Sequence, residues 1–227
     1  MNQSILDHLV WNAILENPHL ALQTENAGVF ELKISPLAAV AKYEQNCFDE
    51  LHSITEPERV LITFSKHVLD NYAGWQIIES NRMQQMVYQG QSPLISKKTQ
   101  EIKPVTDVHI PEMLELTALT KPGPFLERTV DFGQYHGIFE NRKLVAMAGL
   151  RLQAGKYKEI SAVCTHPDSL GKGYAGALLE FIIDLILSLE CIPFLHVRKD
   201  NSRAIAVYER MGFEFRSDFY YTILQRV

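Results

Sequence analysis

Residues 159–179 read EISAVCTHPDSLGKGYAGALL, and this run decides how the rest of the chain is read. Glu159–Thr165 predicts a strand, Pro167 a turn, and Gly171, Gly173 and Gly176 a loop that opens a helix from about Gly173 to Leu189. A glycine-rich loop at a helix N-terminus presents unpaired backbone N–H groups, and the positive end of the helix dipole favours an anion there. Glycine also lets a diphosphate approach the backbone closely. A phosphate-bearing cofactor is the expected occupant.

Several folds use that physics. The string Gly171-x-Gly173-x-x-Gly176 satisfies the dinucleotide fingerprint, with Asp200 after the next strand. In a dinucleotide fold, however, the first glycine follows the strand almost directly, whereas here Thr165–Leu170 intervene. Too little chain follows Gly176 for the further strand–helix units of a doubly wound sheet. A Walker loop is excluded because Lys172 is followed by Gly173 and not by Ser or Thr.

A second run settles the choice: Asn201-x-x-Ala204-x-x-x-Tyr208-x-x-x-Gly212-Phe213, on the helix after the next strand. Together with Thr165-x-Pro167-x-x-Leu170-Gly171-x-Gly173-x-Ala175, it makes residues 99–227 resemble the GNAT superfamily of acetyl-CoA-dependent N-acetyltransferases. The wording is most similar to a bacterial subgroup related to glycine N-acyltransferases. The resemblance implies a mixed-sheet α/β fold and direct transfer of acetyl from acetyl-CoA to an amine. Backbone groups of Val163, Cys164 and Thr165 would bind the pantetheine arm. Leu170, Gly171, Lys172, Gly173, Tyr174, Ala175 and Gly176 would cradle the diphosphate, and Asn201 would meet the cofactor near its thiol. Tyr208 would protonate the departing thiolate, and Glu159, on the cofactor strand, would be the general base. Leu170 departs from the family pattern, which usually has Arg or Gln there; weaker CoA binding is the expected consequence, and a retired CoA-binding sensor is the rival reading.

Against these roles stand plainer ones. A tyrosine on a helix face is ordinarily packing, and a glutamate at a strand start ordinarily solvated. His166 and His196 compete for the base role, although a lone histidine is more often structural. No enzyme nucleophile is needed, so Cys164 is not one. The stripe Glu180, Asp184 and Ser188 marks one face of a helix otherwise buried. Lys172, Lys199, Arg203 and Arg210 are cations near the expected cofactor, none of them assigned to its 3'-phosphate.

The whole chain of 227 residues suits two α/β domains, an N-terminal one over 1–98 without a cofactor loop and the acyltransferase domain over 99–227, with the acceptor between them. In the first, Leu6–Ile14 has helical spacing, Val29–Ile34 reads as a strand, Leu37–Leu51 as a helix and Val60–Phe64 as a strand. Trp75–Ile78 and Met83–Tyr88 read as a hairpin turning at Ser80-Asn81, and Gln89–Thr106 as the boundary. In the second, a helix near Pro111–Leu119 precedes strands at Tyr135–Phe139 and Leu144–Leu152, turning at Asn141-Arg142. Closing strands are expected around Phe213–Arg216 and Phe219–Gln225.

The net charge of −5, with 7 basic and 11 acidic residues in 1–100, argues against a nucleic-acid partner. Three separated cysteines without a CxxC pair predict neither disulfide nor metal site and fit a cytoplasmic protein. The most apolar run, Ala175–Ile192, is broken by two acids and closed by Pro193, so no membrane span is expected. The implied partner is a small-molecule or peptide amine; a homodimer is left open.

Overall fold

The computed structural model describes residues 3–90 and 100–227. A 3-10 turn leads into α1 (Leu9–Glu16), whose apolar face of Leu9, Val10, Ala13 and Ile14 is buried as its spacing predicts. Strands β1 (Ala21–Gln23), β2 (Ala27–Phe30) and β3 (Ala38–Val40) form a small antiparallel sheet in that order, packed with α2 (Gln45–Ser53). Two sequence expectations are corrected here. The strand expected to run to Ile34 ends at Phe30, and the helix expected from Leu37 starts only at Gln45. Leu37, Ala38 and Val40 are all buried, and a short apolar run of this kind is strand or helix alike until it has a partner. Pairing with β2 decides for strand.

The remaining strands are β4 (Val60–Ser65), β5 (Trp75–Tyr88), β6 (Lys103–Val105), β7 (Tyr135–Glu140), β8 (Lys143–Ala154), β9 (Tyr157–Thr165), β10 (Ile192–Arg198) and β11 (Phe213–Arg226). They make one sheet in the order β4-β11-β5-β10-β9-β8-β7-β6, antiparallel except where β9 meets β10. The hairpin expected at Ser80-Asn81 is absent: β5 runs straight through, because β11 pairs with it from Tyr88 to Trp75 and gives those two polar residues Thr222 and Tyr221 as partners. The two expected closing strands are likewise one, with register shifts between Phe215 and Ser217 and between Ile223 and Leu224. Strand β5 lies between β11 and β10, so the expected division at 98/99 is no division of this sheet. Residues 91–99 of the expected boundary lie outside the described residues.

Helices α3 (Ile110–Thr120), α4 (Tyr174–Ser188) and α5 (Ser202–Arg210) complete the fold. Leu178, Leu179, Ile182, Ile183 and Ile186 of α4 pack on β8, β9 and β10, while Met113 and Leu116 of α3 join Met147 and Cys164 in a second cluster. Full burial of each such side chain stabilises the fold by roughly 1.5–3 kcal/mol. Asn141 and Arg142 both take positive φ (50° and 67°), the backbone of the tight turn expected between β7 and β8. Among the described residues, no helix is long and apolar enough to cross a membrane.

Candidate functional site

Strands β9 and β10 pair only at their starts, from Ile192 opposite Tyr157 to Phe194 opposite Glu159. Beyond that point β10 stays with β5 and β9 with β8, so the sheet opens into a wedge. A bulge sharpens it: Ala162 has φ +52°, and the register with β8 shifts between Ser161 and Cys164. The N–H of His166 bonds the carbonyl of Val145 at 2.7 Å, and antiparallel pairs alternate. Cys164 therefore turns its backbone groups to β8, whereas Val163 and Thr165 turn theirs into the wedge. The hydroxyl of Thr165 is buried without a hydrogen-bond partner among the described residues.

The wedge opens onto a cavity of about 370 Å³. Its lining comes from both halves of the chain: Ile62, Phe64 and Met83 on one side, Glu159–Val163, His196 and Tyr208 on the other, with the Lys121–Pro124 loop above. Glu159 is 1% exposed and fully committed. Arg151 grips it from Nε (2.8 Å) and Nη2 (2.7 Å), and His196 Nδ1 donates to Oε1 at 2.7 Å. Burial alone would raise its pKa, but the Arg151 charge and the His196 and Arg151 hydrogen bonds outweigh that and hold it at about 2. The polar chain continues outward. Arg216 donates to Gln85 Oε1 at 2.7 Å, which turns the Gln85 amide N–H toward His196 Nε2 at 3.0 Å. With Nε2 accepting from Gln85, Nδ1 is the ring nitrogen that donates to Glu159.

Tyr208 reaches the cavity from α5, its ring edge-on to Phe213 at 6.1 Å. Burial pushes its pKa up to about 12, which keeps the phenol protonated at ordinary pH. Asn201 has a structural task that accounts for its place in the motif: its side-chain oxygen accepts from the Ala204 N–H at 3.1 Å and caps α5. His166 similarly accepts from the Asp168 N–H at 3.2 Å and does not line the cavity.

At the glycine loop, Gly171 and Gly173 both have φ +79°, and a Cβ at Gly171, Gly173 or Gly176 would meet nothing within 4 Å. The loop is an open cradle. Leu170 projects half-exposed from its rim. Lys172 is exposed, and both oxygens of Glu140 hold its ammonium at 2.7 and 2.9 Å. Ser169 bonds the same carboxylate at 3.2 Å, as does the Tyr174 hydroxyl.

A mixed sheet with a wedge between its two parallel strands, and a glycine-loop helix beside the wedge, is the architecture of the GNAT acyltransferases. Residues 105–213 match the acetyltransferase (GNAT) family. A GNAT-family protein of Novosphingobium aromaticivorans is similar over nearly its whole length: 28% identity, 98% of this chain and 99% of that one, TM-score 0.90. A GCN5-related N-acetyltransferase from Kribbella flavida shares the fold at 10% identity, covering 100% and 96% with TM-score 0.65. A GCN5-related N-acetyltransferase-like protein from Streptococcus suis does so at 14% identity, covering 94% and 91% with TM-score 0.62. No curated protein sequence matches the chain.

Glu159, Val163 and Tyr208, singled out in the sequence, all line one cavity, whereas Arg151, Gln85 and Glu140 were not singled out. Arg151 had a signal: it is the one charge inside the apolar run Leu144–Leu152. Gln85 and Glu140 had none, since their partners Arg216 and Lys172 are 131 and 32 residues away.

Proposed function

We propose that this protein transfers acetyl from acetyl-CoA directly to an amine that enters the cavity between its two halves. The observation that carries the reading is the convergence, on one wedge, of free backbone groups from β9 and a protonated Tyr208, with the open glycine cradle at the wedge's edge. The residues present fit CoA. The Thr165 hydroxyl is a buried polar atom without a partner among the described residues, and the first-turn amides of α4 stand beside glycines that leave room for a diphosphate. When bound, the thioester supplies an activated acyl carbon and a thiolate leaving group.

The backbone of Val163 and Thr165 orients the cofactor arm, with Gly171–Gly176 holding its phosphates. Tyr208 gives its proton to the leaving sulfur. Burial pushes the Tyr208 phenol up to about 12, so it holds the proton this step needs. Glu159 has another task than the one first expected of it. Its oxygens are saturated by Arg151 and His196, which supports a positioning role, and the amine's proton leaves to water at the cleft mouth. The test is thiol release from acetyl-CoA across amino acids, polyamines, aminoglycosides and short peptides, alongside CoA calorimetry. Stabilisation by CoA with no release for any acceptor would overturn transfer in favour of a sensor.

A further inference from the structure

One feature of the cavity is not used by acetyl transfer itself. Arg151 has a side chain only 10% exposed, yet it meets Glu159 through Nε and Nη2 alone. Among the described residues its Nη1 makes no hydrogen bond, and Arg151 lines the cavity. A guanidinium has five N–H donors in a fixed fork, and its natural partner is a carboxylate held by two parallel bonds. One edge is filled by Glu159; Nη1, on the other, is left without a hydrogen bond among the described residues, on a side chain that lines the cavity. The surrounding charge points the same way. Lys121, Arg151 and Arg198 line the cavity against the single carboxylate Glu159, in a chain whose net charge is −5. Asp200 answers Arg198 at 2.7 Å, whereas Lys121 has no ion pair among the described residues. The cavity is therefore left positive. Its remaining walls, including Ile62, Phe64, Met83 and Ile223, are apolar.

We propose that the acceptor is an amino acid with an apolar side chain, or a peptide of similar size, whose carboxylate is bound by the free edge of Arg151 and whose amine is thereby aimed at the wedge. This rests on the acetyl-transfer reading and names its substrate class. The amine nitrogen bonds the acetyl carbon, the carbon–sulfur bond breaks, Tyr208 protonates the sulfur and the amine's own proton goes to water. Arg151 takes no part in the bond changes and acts as a specificity residue.

Three matched acceptors decide it: leucine, leucinamide and 3-methylbutylamine, which share the apolar body and differ in the carboxylate. With kcat/KM expressed per free amine between about pH 7 and 10, to remove their different amine titrations, leucine should exceed both others by roughly 10-fold or more. Arg151→Lys keeps a cation against Glu159 but loses the second edge, so that preference should shrink about 10-fold while CoA affinity is unchanged. Equal or better turnover of leucinamide or 3-methylbutylamine overturns the proposal, as does an undiminished preference in a folded, CoA-binding Arg151→Lys protein. Calorimetric titration of the three compounds into CoA-loaded protein separates the two readings. Selective binding of leucine without any thiol release supports the carboxylate site and refutes acetyl transfer; release without selectivity does the reverse.

Discussion

Replacing Glu159 by Gln isolates what this carboxylate does. In the native cavity it accepts three strong bonds, from Arg151 Nε and Nη2 and from His196 Nδ1, at 2.7–2.8 Å. The amide has one acceptor oxygen, and its NH2 group must face a donor, so at least one of those contacts becomes a clash while Arg151 is left buried and uncompensated. Removing one partner of a buried ion pair typically costs about 3–5 kcal/mol. In a domain of this length each kcal/mol lowers Tm by roughly 2–4 °C, so a drop on the order of 6–20 °C is expected at neutral pH. The pH dependence has a defined sign. With the folded pKa depressed to about 2 from 4.5, the stabilisation is complete above the unfolded value and is lost as pH falls from about 4.5 toward 2. The Gln variant lacks that term, so its acid limb should be shallower than the native one. Calorimetric unfolding from pH 3 to 8 measures both, and thiol release from pH 6 to 9.5 measures the rate. A variant of nearly native stability whose rate fell only at low pH, and recovered in base, would refute the reasoning and return Glu159 to the role of general base.

Other outcomes follow from the same geometry. Tyr208→Phe keeps the ring against Phe213 and removes the hydroxyl, so kcat should fall by roughly 10- to 1000-fold with calorimetric CoA affinity little changed; full activity would remove the acid role. Gly173→Val places a branched side chain at φ +79° in the mouth of the cradle, and a folded variant should lose CoA binding by calorimetry; unchanged affinity would move the phosphate site elsewhere. Leu170→Arg adds a cation at the half-exposed rim, where a charge-assisted contact is worth about 1.5–3 kcal/mol before ordering costs, so CoA should bind more tightly by titration. Glu140→Gln releases Lys172 from its ion pair, and CoA affinity should then rise and become more sensitive to salt.

The sequence by itself determined the local devices. Pro167, the spaced glycines and the apolar stripe specify a strand, a cradle and a helix within twenty residues, because turn chemistry and helix amphipathicity are set by near neighbours. Asn201 and Ala204 specify a cap for the same reason. Tyr208 and Val163, on two such devices separated by one strand, line one cavity. What tertiary structure decided is pairing over long separations. Whether Trp75–Tyr88 turns or runs straight depends on β11, more than a hundred residues later, and nothing within the segment distinguishes the outcomes. The same holds for the site's electrostatics. Whether Glu159 is a base or a clamped counter-ion depends on Arg151 and His196 meeting it across three strands, and on Arg216 fixing Gln85 behind them. Those contacts outweigh the effect of burial on Glu159, and both the contacts and the burial are properties of the packed whole, which no window of the sequence contains.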